Sequence, residues 1–152
     1  MIYTFYSFKG GVGRSMALAG SAYLLARRGL RVLAIDFDLE APGLERYFFE
    51  AAGAVRVRTR PGLMDLLQSY KRALTNSEEF ERADFKRWRE YVTDAIPTVG
   101  SGGRLDIMTA GAREPESRLR DYALSVRTFD WQDFFENWKG DLFFDWLRKQ
   151  FT

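Results

Sequence analysis

The sequence contains no cysteine and no histidine, and these absences remove several kinds of chemistry at once. Without thiols there are no disulfide bonds and no cysteine nucleophile, and without imidazole there is no histidine base. The usual ligands of zinc are missing for the same reason. Any catalysis must therefore use carboxylates, cations and hydroxyl groups, together with a metal ion held by oxygen atoms. The lack of cysteine also agrees with a cytoplasmic protein.

Long hydrophobic runs and strong net charge are lacking as well. No apolar run reaches the length that a membrane-spanning helix needs, so no span is expected. The 23 basic and 21 acidic residues leave a net charge of +2, which is too small to indicate nucleic acid or an anionic membrane as a partner. The chain opens on strand-like sequence rather than on a signal peptide. The composition, 46% hydrophobic and 29% charged, is that of a globular domain.

The most informative stretch is a glycine-rich loop between a predicted strand and a predicted helix. Aromatic and β-branched residues predict the strand at residues 2–8. Helix-forming residues run from Met16 to Arg28, and Gly29 ends them. The loop between these elements reads Phe8-Lys9-Gly10-Gly11-Val12-Gly13-Arg14-Ser15. Its glycines let backbone N–H groups surround an anion, and the helix directs its positive end to the same point, so the loop is predicted to bind phosphate.

The loop departs from the general phosphate-loop pattern G-x-x-x-x-G-K-[ST] at two positions. Phe8 stands where the first glycine belongs, and Arg14 stands where the lysine belongs. An arginine can bind phosphate oxygens in pairs but does not replace a lysine atom for atom, so binding is favoured over fast hydrolysis. Ser15 is placed to give its hydroxyl to magnesium. The alternative is a glycine turn that binds no ligand.

A second predicted strand, residues 30–35, ends in two acidic residues. A right-handed crossover makes this strand parallel to the first, so Asp36 and Asp38 are expected beside the phosphate loop. The chain must turn at Pro42-Gly43, so both acids can face the ligand. There they can hold the waters of magnesium or orient an attacking water. Alternatively, they cap the turn that follows.

The motif KGGVGRS, with its early lysine, resembles the loop KGGxGK[ST] of the deviant P-loop ATPases related to ParA and MinD. It is similar above all to the arginine variant of that loop in bacterial multidomain ATPases, as is the segment Asp38-Leu39-Glu40-Ala41-Pro42-Gly43-Leu44. The resemblance implies an α/β three-layer sandwich of the P-loop NTPase type with a parallel sheet. It also implies ATP and Mg²⁺ as cofactors, an ATP-dependent homodimer, and partner proteins or further domains.

The resemblance also implies a role for each site residue. Lys9 would contact phosphates of the ATP in the facing subunit and act in catalysis. Asp36 would hold magnesium through its waters, with Ser15 as the direct ligand, and Asp38 would position the attacking water. The residues implied to bind the nucleotide are Gly10, Gly11, Val12, Gly13, Arg14, Ser15 and Met16.

The rest of the chain is predicted to be mainly helical. Helices are expected at 44–52, 63–73, 76–94, 114–126 and 130–150, an edge strand or extended loop at 55–60, and a parallel strand at 104–109. Aromatic residues at helical spacing in 76–94 predict a core face, with a base-stacking surface as the lesser alternative. The dense aromatic stripe of 130–150 requires a surface to pack against.

The resemblance also implies a later strand that ends in Asp-x-x-Gly, the loop that senses the γ-phosphate, and a loop for the adenine ring. Neither is identified after residue 111. The expectation is therefore that residues 1–152 form the N-terminal portion of one P-loop ATPase domain. Three functions stay open: an ATPase switch that dimerises on ATP, a nucleotide-binding regulatory module with little hydrolysis, and a protein-interaction module with a vestigial loop. Phosphate release separates the first from the second, and a nucleotide-dependent melting shift separates both from the third.

Overall fold

The computed structural model describes residues 1–9, 11–76 and 83–151. The helices in these ranges are α1 (Arg14–Arg27), α2 (Ala51–Arg58), α3 (Leu63–Thr75), α4 (Glu116–Thr128), α5 (Trp131–Glu136) and α6 (Gly140–Gln150). The strands are β1 (Arg31–Ile35), β2 (Thr93–Val99) and β3 (Gly103–Met108), and 3-10 helices cover Leu44–Tyr47 and Asp84–Tyr91. The described part of the chain has no helix with the length and apolar character to cross a membrane.

The described strands form one sheet in the order β1-β3-β2. β1 and β3 are parallel, with Ile35 opposite Met108, which confirms the parallel pairing expected for these two segments. β2 runs antiparallel to β3. It was not predicted, and the helix expected at 76–94 overlaps its first two residues. The aromatic spacing reflects the shorter 3-10 helix Asp84–Tyr91, and residues 77–82 of that expected helix lie outside the described residues.

Apolar residues on the two faces of the sheet pack into different cores. Val32 and Ala34 of β1 pack with α1 on one face, and the alternate residues Leu33 and Ile35 contact the second core on the other. This alternation is the period of a strand. Helices therefore cover both faces, and the α/β three-layer arrangement is confirmed.

The second core is aromatic and accounts for the C-terminal stripe. The ring of Tyr70 on α3 lies 4.8 Å from that of Phe143 on α6, and Phe85 meets Trp146 edge to face at 5.0 Å. Such pairs add to the stabilisation from burial. The surface on which α5 and α6 pack is thus α3 together with the 3-10 helix Asp84–Tyr91. The helix expected at 130–150 is broken at residues 137–139, where Lys139 adopts a positive φ of 53°.

The strand predicted at residues 2–8 is wrong, because residues 1–7 carry no regular secondary structure. The side chains of this segment are largely exposed, with Tyr6 at 80% and Phe8 at 93%. Phe5, Tyr6 and Ser7 instead line a cavity of about 210 Å³ with the start of α1. Strand propensity describes a side chain's fit to a pleated, half-buried surface, so it has no effect where the segment pairs with no described strand.

The segment before α3 also differs from the prediction. Residues 55–60 were expected to be an edge strand or an extended loop, but residues 55–58 belong to α2. The helix predicted at 44–52 is instead the 3-10 helix Leu44–Tyr47, and α2 continues through Gly53. The alternation of apolar and basic residues was misleading because Val57 alone of this run is buried among the described residues. The helix expected at 63–73 is confirmed as α3.

Candidate functional site

The glycine loop turns sharply into the first residue of α1. Gly11 and Gly13 have φ values of 73° and 80°, a region that side-chain-bearing residues rarely adopt. A Cβ at Gly11 would meet nothing within 4 Å, so backbone conformation rather than space calls for glycine there. Gly10 lies outside the described residues. The loop can thus bring backbone N–H groups to a ligand that approaches from solvent.

The N-terminus of α1 adds donors at the same place. The N–H of Ala17 donates to the carbonyl of Gly13 at 2.9 Å, so the N–H groups of Arg14, Ser15 and Met16 precede the first intrahelical bond. The first turn contains no acidic residue, and within the described chain no side chain caps it. The positive end of the helix therefore faces the loop without a neutralising carboxylate of its own.

Arg14 joins the loop to the end of β1. Its Nη2 lies 2.5 Å from Oδ2 of Asp38, and its Nη1 lies 3.4 Å from the carbonyl and the hydroxyl of Ser7. Both partners of the ion pair are partly exposed. The structure therefore brings together two predicted site residues. The ion pair itself was not predicted, because the sequence indicated phosphate binding for Arg14 and positioning of water for Asp38.

Asp36 is buried at the end of β1, with 5% of its surface exposed. Its carboxylate accepts backbone N–H groups from Gly43 and Leu44 at 3.0 Å and from Asp38 at 3.2 Å. Burial raises the pKa of Asp36, against the effect of these three hydrogen bonds, which favour the charged form. Asp36 therefore caps the loop 36–44, the alternative left open by the sequence. It is connected to Arg14 through Asp38, whose N–H it accepts and whose carboxylate pairs with the arginine.

A model of the CobQ/CobB/MinD/ParA nucleotide-binding domain family matches residues 3–112. The chain belongs to this family. The match contains the glycine loop, both acids and the parallel strands, and it ends before α4, so the aromatic helices lie outside it. Searches of curated proteins and of solved structures found no match. Membership confirms the expected resemblance and makes this a nucleotide-binding domain.

The other predicted residues of this nucleotide-binding domain lie around the loop. Lys9 is exposed at the loop's entry, and Ser7 Oγ donates to its carbonyl at 2.9 Å. Ser15 is half-buried, while Val12 and Met16 are exposed at 60% and 63%. None of these side chains is drawn into the core, so each is open to a ligand or to another molecule.

The donor set fits a metal that is bound mainly through a nucleotide. No group of three or more acidic residues that could hold a metal is found in the described ranges. Magnesium in nucleotide sites commonly takes one or two protein oxygens and completes its shell with phosphate and water. The hydroxyl of Ser15 and the carboxylate of Asp36 are the oxygens that would serve in this way.

Sequence reasoning missed a buried ion pair beside Asp36. Glu45 is completely buried, and its Oε1 accepts from Nη2 of Arg113 at 2.7 Å. The partners are 68 residues apart in the chain, so no local spacing could pair them. The available signal was an acid placed directly after Gly43-Leu44, within the segment that binds Asp36.

Proposed function

We propose that this domain binds ATP with magnesium at residues 10–16 and works as a nucleotide-dependent dimerisation switch of the ParA/MinD type. The observation that carries the proposal is the placement of Arg14 at the uncapped start of α1, directly after Gly11 and Gly13. A guanidinium, a helix N-terminus and free backbone N–H groups all favour the same ligand, a phosphate chain. The switch would serve a larger cytoplasmic bacterial protein.

Each side chain has a task in this proposal. Arg14 binds the β- and γ-phosphates, and the hydroxyl of Ser15 holds magnesium. Magnesium, when bound, neutralises charge on the phosphates. Asp36 accepts hydrogen bonds from the waters around the metal, and Asp38 orients the water that attacks the γ-phosphate. Because Asp38 is paired with Arg14, ATP must first take the arginine from it.

Lys9 acts between two copies of the domain. Its exposure at the entry of the loop leaves the ammonium able to reach a facing subunit. There it would stabilise charge that develops during phosphoryl transfer, as cations supplied in trans do in other P-loop enzymes. Dimerisation would then depend on ATP because the lysine binds the partner's phosphates.

A second function is a regulatory module that binds nucleotide and hydrolyses it little or not at all. The observation that favours it is the same ion pair, since Arg14 replaces the usual lysine and already engages Asp38. Binding, dimerisation and turnover therefore have to be measured separately.

The decisive experiment compares wild type, Lys9→Ala and Ser15→Ala of the full-length protein. Sedimentation with and without ATP measures dimerisation, and phosphate release measures turnover. The switch predicts that Lys9→Ala keeps ATP affinity but loses dimerisation and about a thousandfold or more in rate. Ser15→Ala should lose only the magnesium-dependent part of binding.

If the wild type binds ATP but stays monomeric without releasing phosphate, the regulatory module is the correct function. If Lys9→Ala loses ATP binding outright, Lys9 is a phosphate ligand within its own subunit. If ATP causes no melting shift in the wild type at millimolar concentration, the loop is vestigial and the domain is an interaction module.

A further inference from the structure

The pair Glu45–Arg113 is a buried ionic contact that the proposed nucleotide chemistry does not use. Glu45 is 0% and Arg113 is 6% exposed, and Nη2 of the arginine lies 2.7 Å from Oε1 of the glutamate. Arg58 approaches the same oxygen at 3.4 Å. Among the described residues, Oε2 of Glu45 has no hydrogen-bond partner. One carboxylate oxygen therefore takes both cations while the other stays unsatisfied.

The attraction within this pair offsets little more than the desolvation cost of burying its two charges. Removing two charges from water is repaid only when the geometry is good and the remaining lone pairs are satisfied. Here Oε2 is not satisfied by any described residue. Apolar side chains of similar volume commonly stabilise a fold as well or better. An apolar pair would not supply direction. The backbone carbonyl of Glu45 accepts from Phe48 and Phe49, and the ionic hydrogen bond fixes the side chain as well.

The position of residue 45 matters because its neighbours bind Asp36. The N–H groups of Gly43 and Leu44 both donate to Oδ2 of Asp36. Glu45 follows directly in the chain, so a shift at Glu45 moves the two donors. Asp36 is also fixed from the sheet, since its N–H donates to the carbonyl of Met108 at 2.9 Å. The carboxylate is thus held between β3 and the segment that Glu45 anchors.

Arg113, the partner of Glu45, is held in place by hydrogen bonds of its own segment. Nη1 of Arg113 donates to the carbonyl of Gly111 at 3.0 Å. The segment before it receives the start of α3, because the N–H groups of Leu63 and Met64 donate to the carbonyls of residues 109 and 110. Asp65 adds a bond to the N–H of Ala112. Arg113 therefore projects from a segment tied to the aromatic core.

We infer that Glu45 and Arg113 are positioning residues that hold the Asp36 carboxylate where it serves the magnesium-dependent part of nucleotide binding. The inference rests on the proposed function, since it assigns a device to the same site. Partners that orient a metal's ligands typically change metal affinity by about 10- to 100-fold when they are replaced. Because Asp36 would act through the waters of the metal, an effect at the lower end of this range, about tenfold, is expected on magnesium-dependent binding, with little effect on ATP alone.

The test measures ATP affinity with and without magnesium for wild type and Glu45→Gln of the full-length protein, with Mn²⁺ binding to the ATP complex as a second readout. The control is Glu114→Gln, which removes the same charge from the same cluster. Glu114 contacts Arg58 at 3.4 Å but does not belong to the segment that binds Asp36. Arg113→Lys provides a second variant, because it keeps the positive charge but loses the planar two-bond geometry.

The inference predicts that Glu45→Gln and Arg113→Lys bind ATP alone within about twofold of wild type, but lose at least about tenfold of its enhancement by magnesium. Glu114→Gln should keep the full enhancement. A purely structural role would lower the melting temperature and leave the enhancement of the folded protein intact, which overturns the inference. If Glu45→Gln does not fold, Arg113→Lys decides by the same criterion.

The proposed function fails separately from this inference. Wild type that binds ATP with a magnesium enhancement, beside variants that keep that enhancement, refutes only the positioning role. Wild type that binds no ATP refutes the proposed function and the positioning role together.

Discussion

Asp38→Asn should strengthen ATP binding in the absence of magnesium. In the structure the Asp38 carboxylate holds the guanidinium of Arg14 at 2.5 Å, the group proposed to bind the phosphates. In the proposed function, the phosphates of ATP therefore compete with the Asp38 carboxylate for the guanidinium of Arg14. Asparagine removes the competing charge but keeps an oxygen for the N–H of Ala41, which Asp38 Oδ1 accepts at 3.2 Å. The local turn should survive.

The size of the effect follows from the exposure of the pair. The two side chains are 29% and 30% exposed, between a surface pair and a buried one. Surface pairs contribute about 0.2 to 1 kcal/mol, and the upper end of this range, about 1 kcal/mol, suits a short and partly sheltered contact. That energy corresponds to about a fivefold lower Kd for ATP. Because Asp38 is also proposed to orient water, turnover should fall while affinity rises.

The assay is a titration of ATP without magnesium into wild type, Asp38→Asn and the control Glu40→Gln. Glu40 is an exposed acid two residues further on, and its replacement changes the net charge equally. An equal gain in Glu40→Gln would mean that the effect is general electrostatics. Unchanged or weaker binding in Asp38→Asn would refute the competition, and Asp38 would then support the ligand directly.

Three further predictions concern the fold and are checked by denaturation. Phe143→Ala should lower the free energy of unfolding by about 3–5 kcal/mol in urea, because this completely buried ring packs against Tyr70 and Phe134, and a cost under 1 kcal/mol would contradict that packing. Gly62→Ala should lower the free energy of unfolding, because the new Cβ would lie 2.2 Å from the carbonyl oxygen of Thr109. Gly20→Ala should instead stabilise α1 by about 0.5–1 kcal/mol, because a Cβ there would meet nothing within 4 Å. Equal effects at both sites would be inconsistent with the described backbone. Hydrogen bonds from the side chains of Asn137, Trp138 and Lys71 lower the pKa of Asp133 from 3.8, so charged Asp133 stabilises the fold above pH 3.8 and this stabilisation is lost as the pH falls through the lowered pKa. Asp133→Asn should therefore reduce the acid sensitivity of the melting temperature. A pH profile identical to that of wild type would exclude this contribution.

The loop and the parallel strands were predictable from local sequence. Gly11 and Gly13 adopt positive φ values in the turn. Glycine is the residue type that adopts such values readily, so the turn could be predicted from the glycines alone. The run that forms β1 is mostly apolar, and β3 alternates charged and apolar residues before its apolar end. Both patterns are typical of strands, so their strand character needs no knowledge of the rest of the fold. The helices with long, regular patterns, such as α3, follow for the same reason.

The failures lie where pairing between distant segments decides. Residues 2–8 have the composition of a strand, but a strand forms only against a neighbour, and composition cannot show that neighbour's absence among the described strands. The ion pair of Arg14 with Asp38 joins residues 24 apart in the chain, and that of Glu45 with Arg113 joins residues 68 apart. Such contacts depend on the sheet order, which no single segment encodes.

The central claim is that the loop at residues 10–16 binds a nucleotide through Arg14. The most direct measurement is calorimetric titration of ATP with magnesium into wild type, Arg14→Ala and Arg28→Ala of the full-length protein. Arg28 is an exposed arginine just past the other end of α1, so it controls for the loss of positive charge. The account predicts one saturable site in wild type and Arg28→Ala, with about 2.7 kcal/mol of stabilisation at a hundred times Kd, and no binding in Arg14→Ala. Equal binding by wild type and Arg14→Ala, or no binding by wild type, would contradict it.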